Sequence, residues 1–143
     1  MRALLVTITA SLLLLAACGG QTTSNIPGPG GNNGPVAVTL TDAGVVLGQT
    51  SVKAGAVTFS VKNSGTIEHE LVVLKTDVAA DKIPANGDEA GKVSEDGSLG
   101  ESGNLAAGTA KDFILTLTPG KYVLMCNEVG HYAMGMHIPF EVK

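Results

Sequence analysis

The sequence predicts an all-β domain, a sandwich or barrel of about seven to eight short strands. Short apolar runs rich in Val, Ile, Leu, Phe and Thr recur from about residue 36 to the C-terminus. Gly, Pro, Asn and Asp separate these runs, and no stretch repeats its apolar residues with a helical period. Many short strands at this spacing are typical of sandwiches and barrels.

Turn-forming residues bound the predicted strands. Asp42-Ala43-Gly44 separates the first two, Asn63-Ser64-Gly65 ends the third, and Pro119-Gly120 lies between two strands near the C-terminus. In order, the predicted strands are Val36–Thr41, Val45–Leu47, Ala56–Lys62, His69–Lys75, Lys111–Thr118, Lys121–Asn127 and Met136–Val142.

Alternation along the strands predicts which side chains face the core, because neighbouring side chains in a strand point to opposite faces. His69, Cys126 and Met136 share parity with apolar neighbours and are expected to face inward. Ile67 shares the parity of His69 and is expected on the same face. The residues expected on the opposite faces are Glu68, Glu70, Met125 and His137.

The segment from Thr76 to Gly103 differs from the rest of the domain. It has scattered acidic residues, several glycines and little periodicity. We expect a long excursion here, with a short helix near Val78–Lys82, before strand pairing resumes. Connections of this length are often functional.

The N-terminus has the build of a secretory signal. Met1-Arg2 is followed by an almost wholly apolar run that is short for a membrane-spanning helix. The run ends in Leu15-Ala16-Ala17-Cys18, which resembles the bacterial lipoprotein box, in which the Cys is lipidated and becomes the first residue. Residues 1–17 are therefore predicted to be a lipoprotein signal peptide; the alternative is an ordinary signal peptide with an incidental Cys. The protein is expected to be exported and membrane-anchored, in the periplasm or at the cell surface.

Residues 18–35 are predicted to be the lipidated Cys and a flexible tether. The segment is rich in Gly, Pro, Asn, Ser and Thr and has a single aliphatic side chain, Ile26, so it cannot bury enough apolar surface to fold. The folded domain is expected to span residues 36–143, as a monomer. Its eight lysines and thirteen acidic residues give a net charge of −5 with His neutral, which argues against a nucleic-acid partner.

Cys126 is the one Cys left in the folded domain if Cys18 carries lipid. Exported domains usually pair their cysteines, so a solitary one is explained by burial as an inert thiol, by an intermolecular bridge, or by a metal.

The neighbours of Cys126 favour the metal. Residues 126–137 hold one thiol, two imidazoles and two thioethers: Cys126, His131, Met134, Met136 and His137. Soft sulfur together with imidazole selects copper or zinc over calcium or magnesium. Two His, one Cys and a weak axial Met form the blue-copper pattern, and the inward-facing His69 offers the second His.

These residues resemble the cupredoxin family. Its members take one His from an early strand and then Cys, His and Met from a single loop near the C-terminus. Here the loop reads Cys, four residues, His, four residues, Met, which is similar to rusticyanin and sulfocyanin; Gly130 and Gly135 precede the His and the Met. The run Asn63 to Leu71 resembles the first-ligand region. The resemblance implies a cupredoxin-like Greek-key β-sandwich or barrel over about residues 36–143.

The resemblance implies one copper ion. Its ligands would be His69, Cys126, His131 and Met136. Met134 is the rival axial ligand, since it has the same parity as Met136 but a shorter spacing from the His. Two positions depart from the family: Glu70 stands where many members have Asn, and Val129 where many have Pro. These departures affect hydrogen bonding around the ligands.

The implied function is an electron carrier and not an enzyme, because no coordination position would be open to a substrate. Redox partners, such as a cytochrome, an oxidase or a reductase, would dock on an apolar patch at His131. Three alternatives remain from the residues: a copper-binding or chaperone lipoprotein, a catalytic copper or zinc site, and a metal-free sandwich. The chaperone would use Met134, Met136 and His137. The catalytic site would take a carboxylate ligand from Glu68, Glu70 or Glu128.

Overall fold

The computed structural model describes residues 34–143, which form two β-sheets packed face to face. This part of the chain contains nine strands, and all seven predicted ones are among them with ends shifted by a few residues. The strands are β1 (Val36–Thr41), β2 (Gly44–Leu47), β3 (Ser51–Val52), β4 (Gly55–Asn63), β5 (Val72–Lys75), β6 (Ser98–Glu101), β7 (Ala110–Leu117), β8 (Gly120–Met125) and β9 (His137–Val142).

The strand order confirms the predicted all-β sandwich with Greek-key connections. One sheet has the order β2-β1-β4-β7, and the other has the order β3-β9-β8-β5-β6. The pairs β1–β4 and β3–β9 are parallel, and the other pairs are antiparallel. Because β4 and β5 lie in different sheets, the segment that joins them passes over one end of the sandwich and brings His69 there.

The main core fills the space between the sheets. Phe59 of β4 stacks on Phe113 of β7 with ring centroids 5.4 Å apart, and it also meets Phe140 of β9 at 5.9 Å. Aromatic contacts of this geometry contribute beyond the area that they bury. Cys126 and Met136 belong to this same core, which confirms that both face inward.

A second apolar cluster lies on the outer face of the five-stranded sheet. It joins side chains of β5 and β8 to the excursion and to the loop after β8. Its buried members are Val72, Leu74, Ile83, Val93, Val123, Met125 and Tyr132. Residues 76–103 therefore cover this sheet, which explains why β5 and β8 read as continuous apolar runs.

Several details of the prediction were wrong. No helix forms anywhere in residues 34–143, so residues 78–82 are turns and bends. The strand predicted from His69 begins only at Val72, and His69 instead makes an isolated bridge to Leu105. Ile67 is 48 % exposed although it was expected to face inward. Strands β3 and β6 were not predicted.

Two residues expected on polar faces are partly or wholly buried. Glu70 is only 6 % exposed, because it is surrounded by residues of the excursion and of the loop after β8. His137 is half-buried, and its ring lies against that of Tyr132 with centroids 4.7 Å apart. Parity gave the right face for His137, which pairs with Met125 of the second cluster, whereas Glu70 precedes β5 and lies in no strand.

The predicted signal peptide (residues 1–17), the lipidated Cys18 and nearly all of the tether (18–35) lie outside the described residues. Within residues 34–143, no helix has the length and apolar character needed to cross a membrane.

Candidate metal centre

Three donor atoms from two distant stretches meet at one end of the sandwich. Cys126 Sγ lies 3.3 Å from His131 Nδ1 and 3.8 Å from His69 Nδ1, and the two Nδ1 atoms are 3.1 Å apart. All three side chains are buried. The two imidazoles and the thiol that the sequence singled out are therefore brought together, each with its metal-binding atom toward the others.

His69 is placed by a short cross-link between two loops. Its backbone exchanges two hydrogen bonds with Leu105, and the side-chain amide of Asn63 donates to the carbonyls of Ile67 and Leu105. Asn63 is fully buried, and its bond to Leu105 is shielded from competing water. The segment before β5 is thus held although it belongs to no strand.

The loop between β8 and β9, residues 126–136, is closed by its own backbone. Cys126 N donates to Met136 O at 2.9 Å, which ties the two ends together. Gly130 and Gly135 adopt positive φ values of 84° and 97°, which glycine tolerates and other residues rarely adopt. The glycines that the sequence flagged therefore serve the tight turns on either side of His131.

Burial separates the two methionines that spacing alone left open. The side chain of Met136 is fully buried in the core that contains Cys126, whereas Met134 is 59 % exposed. A thioether ligand must reach the donor atoms from inside, so the structure favours Met136 over Met134.

Burial disfavours charge on the thiol and on the imidazole of His131. Burial raises the pKa of the Cys126 thiol, although the backbone N–H of Glu70 points at Sγ from 3.4 Å and acts in the opposite direction. Burial, with a smaller contribution from His69, lowers the pKa of His131 and so favours a neutral imidazole with a free lone pair. A metal ion would compensate the thiolate and take up both lone pairs.

The donor set fits copper. Within residues 34–143, the group of His, Cys and acidic side chains close enough to share a metal contains two His and one Cys, without a carboxylate. Two His, one Cys and a nearby buried thioether match the blue-copper pattern, whereas structural zinc sites use four Cys or His ligands.

The three glutamates considered as alternative ligands do not join this group. Glu68 accepts a hydrogen bond from Asn104 at the surface, and Glu128 is half-buried. Glu70 lies beside the site, where burial and the nearby carboxylates of Glu101, Glu128 and Glu95 raise its pKa to about 7. A carboxylate-ligated catalytic site therefore finds no support in this arrangement.

Asp42, which the sequence analysis treated only as a turn residue, contacts the site directly. Its Oδ1 lies 3.0 Å from His69 Nε2, on the side of the ring opposite the sulfur. Hydrogen bonds from the side chain of Thr66, then from His69 and from the Thr66 backbone, lower the pKa of Asp42 to about 2. No local sequence signal marks this contact, because it joins turns 27 residues apart.

Hydrogen bonds join the excursion to the ligand loop. The phenol of Tyr132 donates to Ala80 O at 2.6 Å and accepts from Ile83 N at 2.9 Å. The amide of Asn127 pairs with both the N–H and the carbonyl of Val93. These two side chains stand directly beside Cys126 and His131, so the long excursion braces the loop that carries them.

Comparisons with known proteins agree with this geometry. A family model described as the sulfocyanin (SoxE) domain matches residues 35–143. A search of curated proteins gave no significant match.

Solved structures match with the same fold. Auracyanin from Roseiflexus castenholzii is 21 % identical, with a TM-score of 0.58 over 75 % of this chain and 94 % of that one. Rusticyanin from Thiobacillus ferrooxidans is 16 % identical, with a TM-score of 0.63 over 80 % and 79 % of the two chains. Auracyanin B is 23 % identical, with a TM-score of 0.57 over 78 % and 92 %.

Proposed function

The chain belongs to the sulfocyanin family of cupredoxins, whose members carry electrons on one blue copper ion, and we propose that the two imidazoles, the thiolate and the buried thioether described above hold that ion here. The proposed ligands are His69, Cys126, His131 and Met136. The convergence of His69, 57 residues from Cys126, on the same point as His131 is the observation that carries the proposal.

Bound copper supplies a one-electron couple between Cu(II) and Cu(I). The protein's part is to keep the donors in one arrangement through electron gain and loss, since a small rearrangement means a low barrier to transfer. The loop closure at Cys126 N, the cross-link at Leu105 and the braces at Tyr132 and Asn127 all serve this. Because the thioether side is filled by core packing around Met136, no position is left for a substrate, so we propose that the protein is not an enzyme.

Redox partners are proposed to dock at His131. Its side chain is buried except for 7 % of its surface, and the same loop exposes the apolar side chains of Val129 (64 %) and Met134 (59 %). An apolar patch allows brief contacts over a small interface, as transient redox complexes require. A cytochrome, an oxidase or a reductase would exchange electrons here.

This docking proposal can be tested without knowing the partner, by measuring electron self-exchange between copies of the copper-loaded chain. Met134→Lys places a charge on the patch and should slow self-exchange about ten-fold or more, because two like charges then meet at the contact. Ile114→Lys is the matched control, since Ile114 is exposed on β7. Equal rates in both variants would place the transfer route elsewhere.

We also propose that lipid on Cys18 and the tether of residues 18–35 hold the domain at a membrane, in the periplasm or at the cell surface. Cupredoxins are typically periplasmic or extracellular. Confinement to a surface raises the effective concentration of the carrier near membrane-bound partners. Cys18→Ser should move the full chain from the membrane fraction to the soluble fraction while its copper spectrum stays the same.

The ligand proposal is tested by adding Cu(II) to the full chain. We expect an intense visible thiolate-to-copper band, which Cys126→Ser should abolish. The matched pairs are His131→Ala against His137→Ala and Met136→Leu against Met134→Leu. The first member of each pair should change the spectrum or the reduction potential, and the second should leave both nearly unchanged. A colourless complex that forms through Met134 and His137 would support the copper-chaperone alternative instead.

A further inference from the structure

A buried imidazole ligand has two nitrogens, and only one can face the metal. His69 directs Nδ1 toward Cys126, so its Nε2 points away and has to meet a partner inside the fold. That partner is Asp42, at a distance of 3.0 Å. His69 itself is fully buried, so the contact is sheltered on the imidazole side, while the Asp42 side chain keeps 42 % exposure.

We propose that Asp42 is a positioning residue of the metal centre, which accepts the proton of His69 Nε2 and so keeps the Nδ1 lone pair directed at Cys126. This inference rests on the copper site proposed above and deepens it. Partners of this kind orient metal-bound imidazoles and increase their donor strength.

The carboxylate of Asp42 is itself held so that it can only accept. Thr66 N donates to both carboxylate oxygens, at 2.9 and 3.0 Å, and Thr66 Oγ1 donates to Oδ2 at 2.7 Å. Both oxygens accept from Thr66, as those of an ionised carboxylate do, and a carboxylate without a proton can contact His69 only as an acceptor. The proton therefore sits on His69 Nε2, which fixes the tautomer of the ring.

Gly65 leaves the room for this contact. A Cβ atom at residue 65 would overlap Oδ1 of Asp42 and lie 2.7 Å from Nε2 of His69, closer than real Cβ contacts allow. Any larger residue at position 65 would therefore disturb the contact between Asp42 and His69. The arrangement also links the turn between β1 and β2 to the segment before β5, which crosses from one sheet to the other at the metal end.

Fixing His69 has a consequence for the second imidazole. The Nδ1 atoms of His69 and His131 are 3.1 Å apart. If His69 Nδ1 carries the lone pair, a neutral His131 in the metal-free protein must place its proton on Nδ1 and donate it to His69. When a metal binds, the protons on His131 Nδ1 and on the Cys126 thiol must then leave, whereas the Nδ1 atom of His69 is already free.

The first test is independent of copper. Nitrogen NMR of the imidazoles in the metal-free full chain should show His69 protonated at Nε2 and His131 protonated at Nδ1. Asp42→Ala removes the acceptor and should give a mixture of His69 tautomers. Asp112→Asn is the matched control, because it removes one exposed acidic charge on β7 and should leave both rings unchanged.

The second test measures binding and potential. Asp42→Ala should weaken Zn(II) and Cu(II) binding about ten-fold or more, the usual effect of losing such a partner. Asp42→Asn keeps an acceptor oxygen but removes the charge. It should retain the His69 tautomer. Because a negative charge near the copper favours Cu(II) over Cu(I), its loss should raise the reduction potential, and the ratio of Cu(II) to Cu(I) affinity should fall about three-fold, as for a unit charge in a nearly aqueous dielectric.

The outcomes separate this inference from the copper site. An Asp42→Ala chain with unchanged tautomers and affinity overturns it, even if the wild-type protein is blue. If Asp42→Ala does not fold, Asp42→Asn decides: a potential equal to that of wild type and of Asp112→Asn overturns the inference. A wild-type chain with the expected tautomers that binds no copper would contradict the proposed function and leave the positioning of His69 established.

Discussion

Replacing Tyr132 by Phe removes one oxygen atom and tests whether the excursion braces the ligand loop. The phenol donates to Ala80 O and accepts from the buried N–H of Ile83. Each bond contributes about 1 kcal/mol net, and a buried N–H left without a partner costs about 1–3 kcal/mol. Since Ala80 is only half-buried, water can replace the lost donor there, whereas Ile83 is 7 % exposed and its N–H stays unsatisfied. We expect Tyr132→Phe to lower the free energy of unfolding by about 2–3 kcal/mol.

The matched control is Tyr122→Phe, because Tyr122 is the other of the two tyrosines in the chain. Its phenol makes one hydrogen bond, to the carbonyl of the exposed Thr118, so its loss should cost only about 0.5–1.5 kcal/mol. Urea unfolding of the metal-free chain measures both values, and hydrogen exchange should show faster exchange at Ile83 in Tyr132→Phe alone. Equal costs for the two variants, or unchanged protection at Ile83, would refute the bracing role.

Three further predictions concern single residues around the centre. Glu70 has a folded pKa raised from 4.5 to about 7, so its contribution to stability is full below pH 4.5 and is lost as the pH rises through about 7. In the metal-free chain, Glu70→Gln should therefore raise the free energy of unfolding at pH 8 by about 1–2 kcal/mol after solvent screening, with no gain at pH 4. A gain at both pH values would contradict this assignment. Asn127→Ala leaves the N–H and carbonyl of Val93 unpaired, so it should lower the free energy of unfolding by about 2–3 kcal/mol in the same urea assay and speed copper release. Unaltered copper release would mean that this pairing does not stabilise the ligand loop. Gly65→Ala should perturb the His69 ring signals in NMR because of the overlap with Asp42, and signals identical to wild type would show that the turn can yield.

The inward positions of Cys126 and Met136 could be predicted from sequence because strand parity is local. A period of two places Cys126 and Met136 inward once the adjoining strands are located, whereas His69 precedes β5 and is held inward by its bridge to Leu105. Parity could not separate Met134 from Met136, which lie two residues apart. That choice depends on how residues 126–136 turn, and the turn is fixed by backbone hydrogen bonds that spacing does not reveal.

Long-range contacts set the limit of the prediction. Asp42 reaches His69 across the end of the sandwich, and only the folded arrangement of two turns brings them together. The burial of Glu70 follows from the excursion, whose attachment depends on side-chain bonds from Tyr132 and Asn127 to backbone groups. Strand β3 has two residues and β6 has the sequence Ser-Leu-Gly-Glu, so neither carries a usable strand pattern.

X-ray absorption at the copper edge of the loaded full chain tests the centre itself, since it reports the donor atoms around the metal in both oxidation states. We expect one sulfur and two nitrogen neighbours, with almost the same distances in Cu(II) and Cu(I), and loss of the short sulfur distance in Cys126→Ser. A shell of oxygen and nitrogen without that sulfur, or a large rearrangement on reduction, would contradict a rigid His69–Cys126–His131 centre.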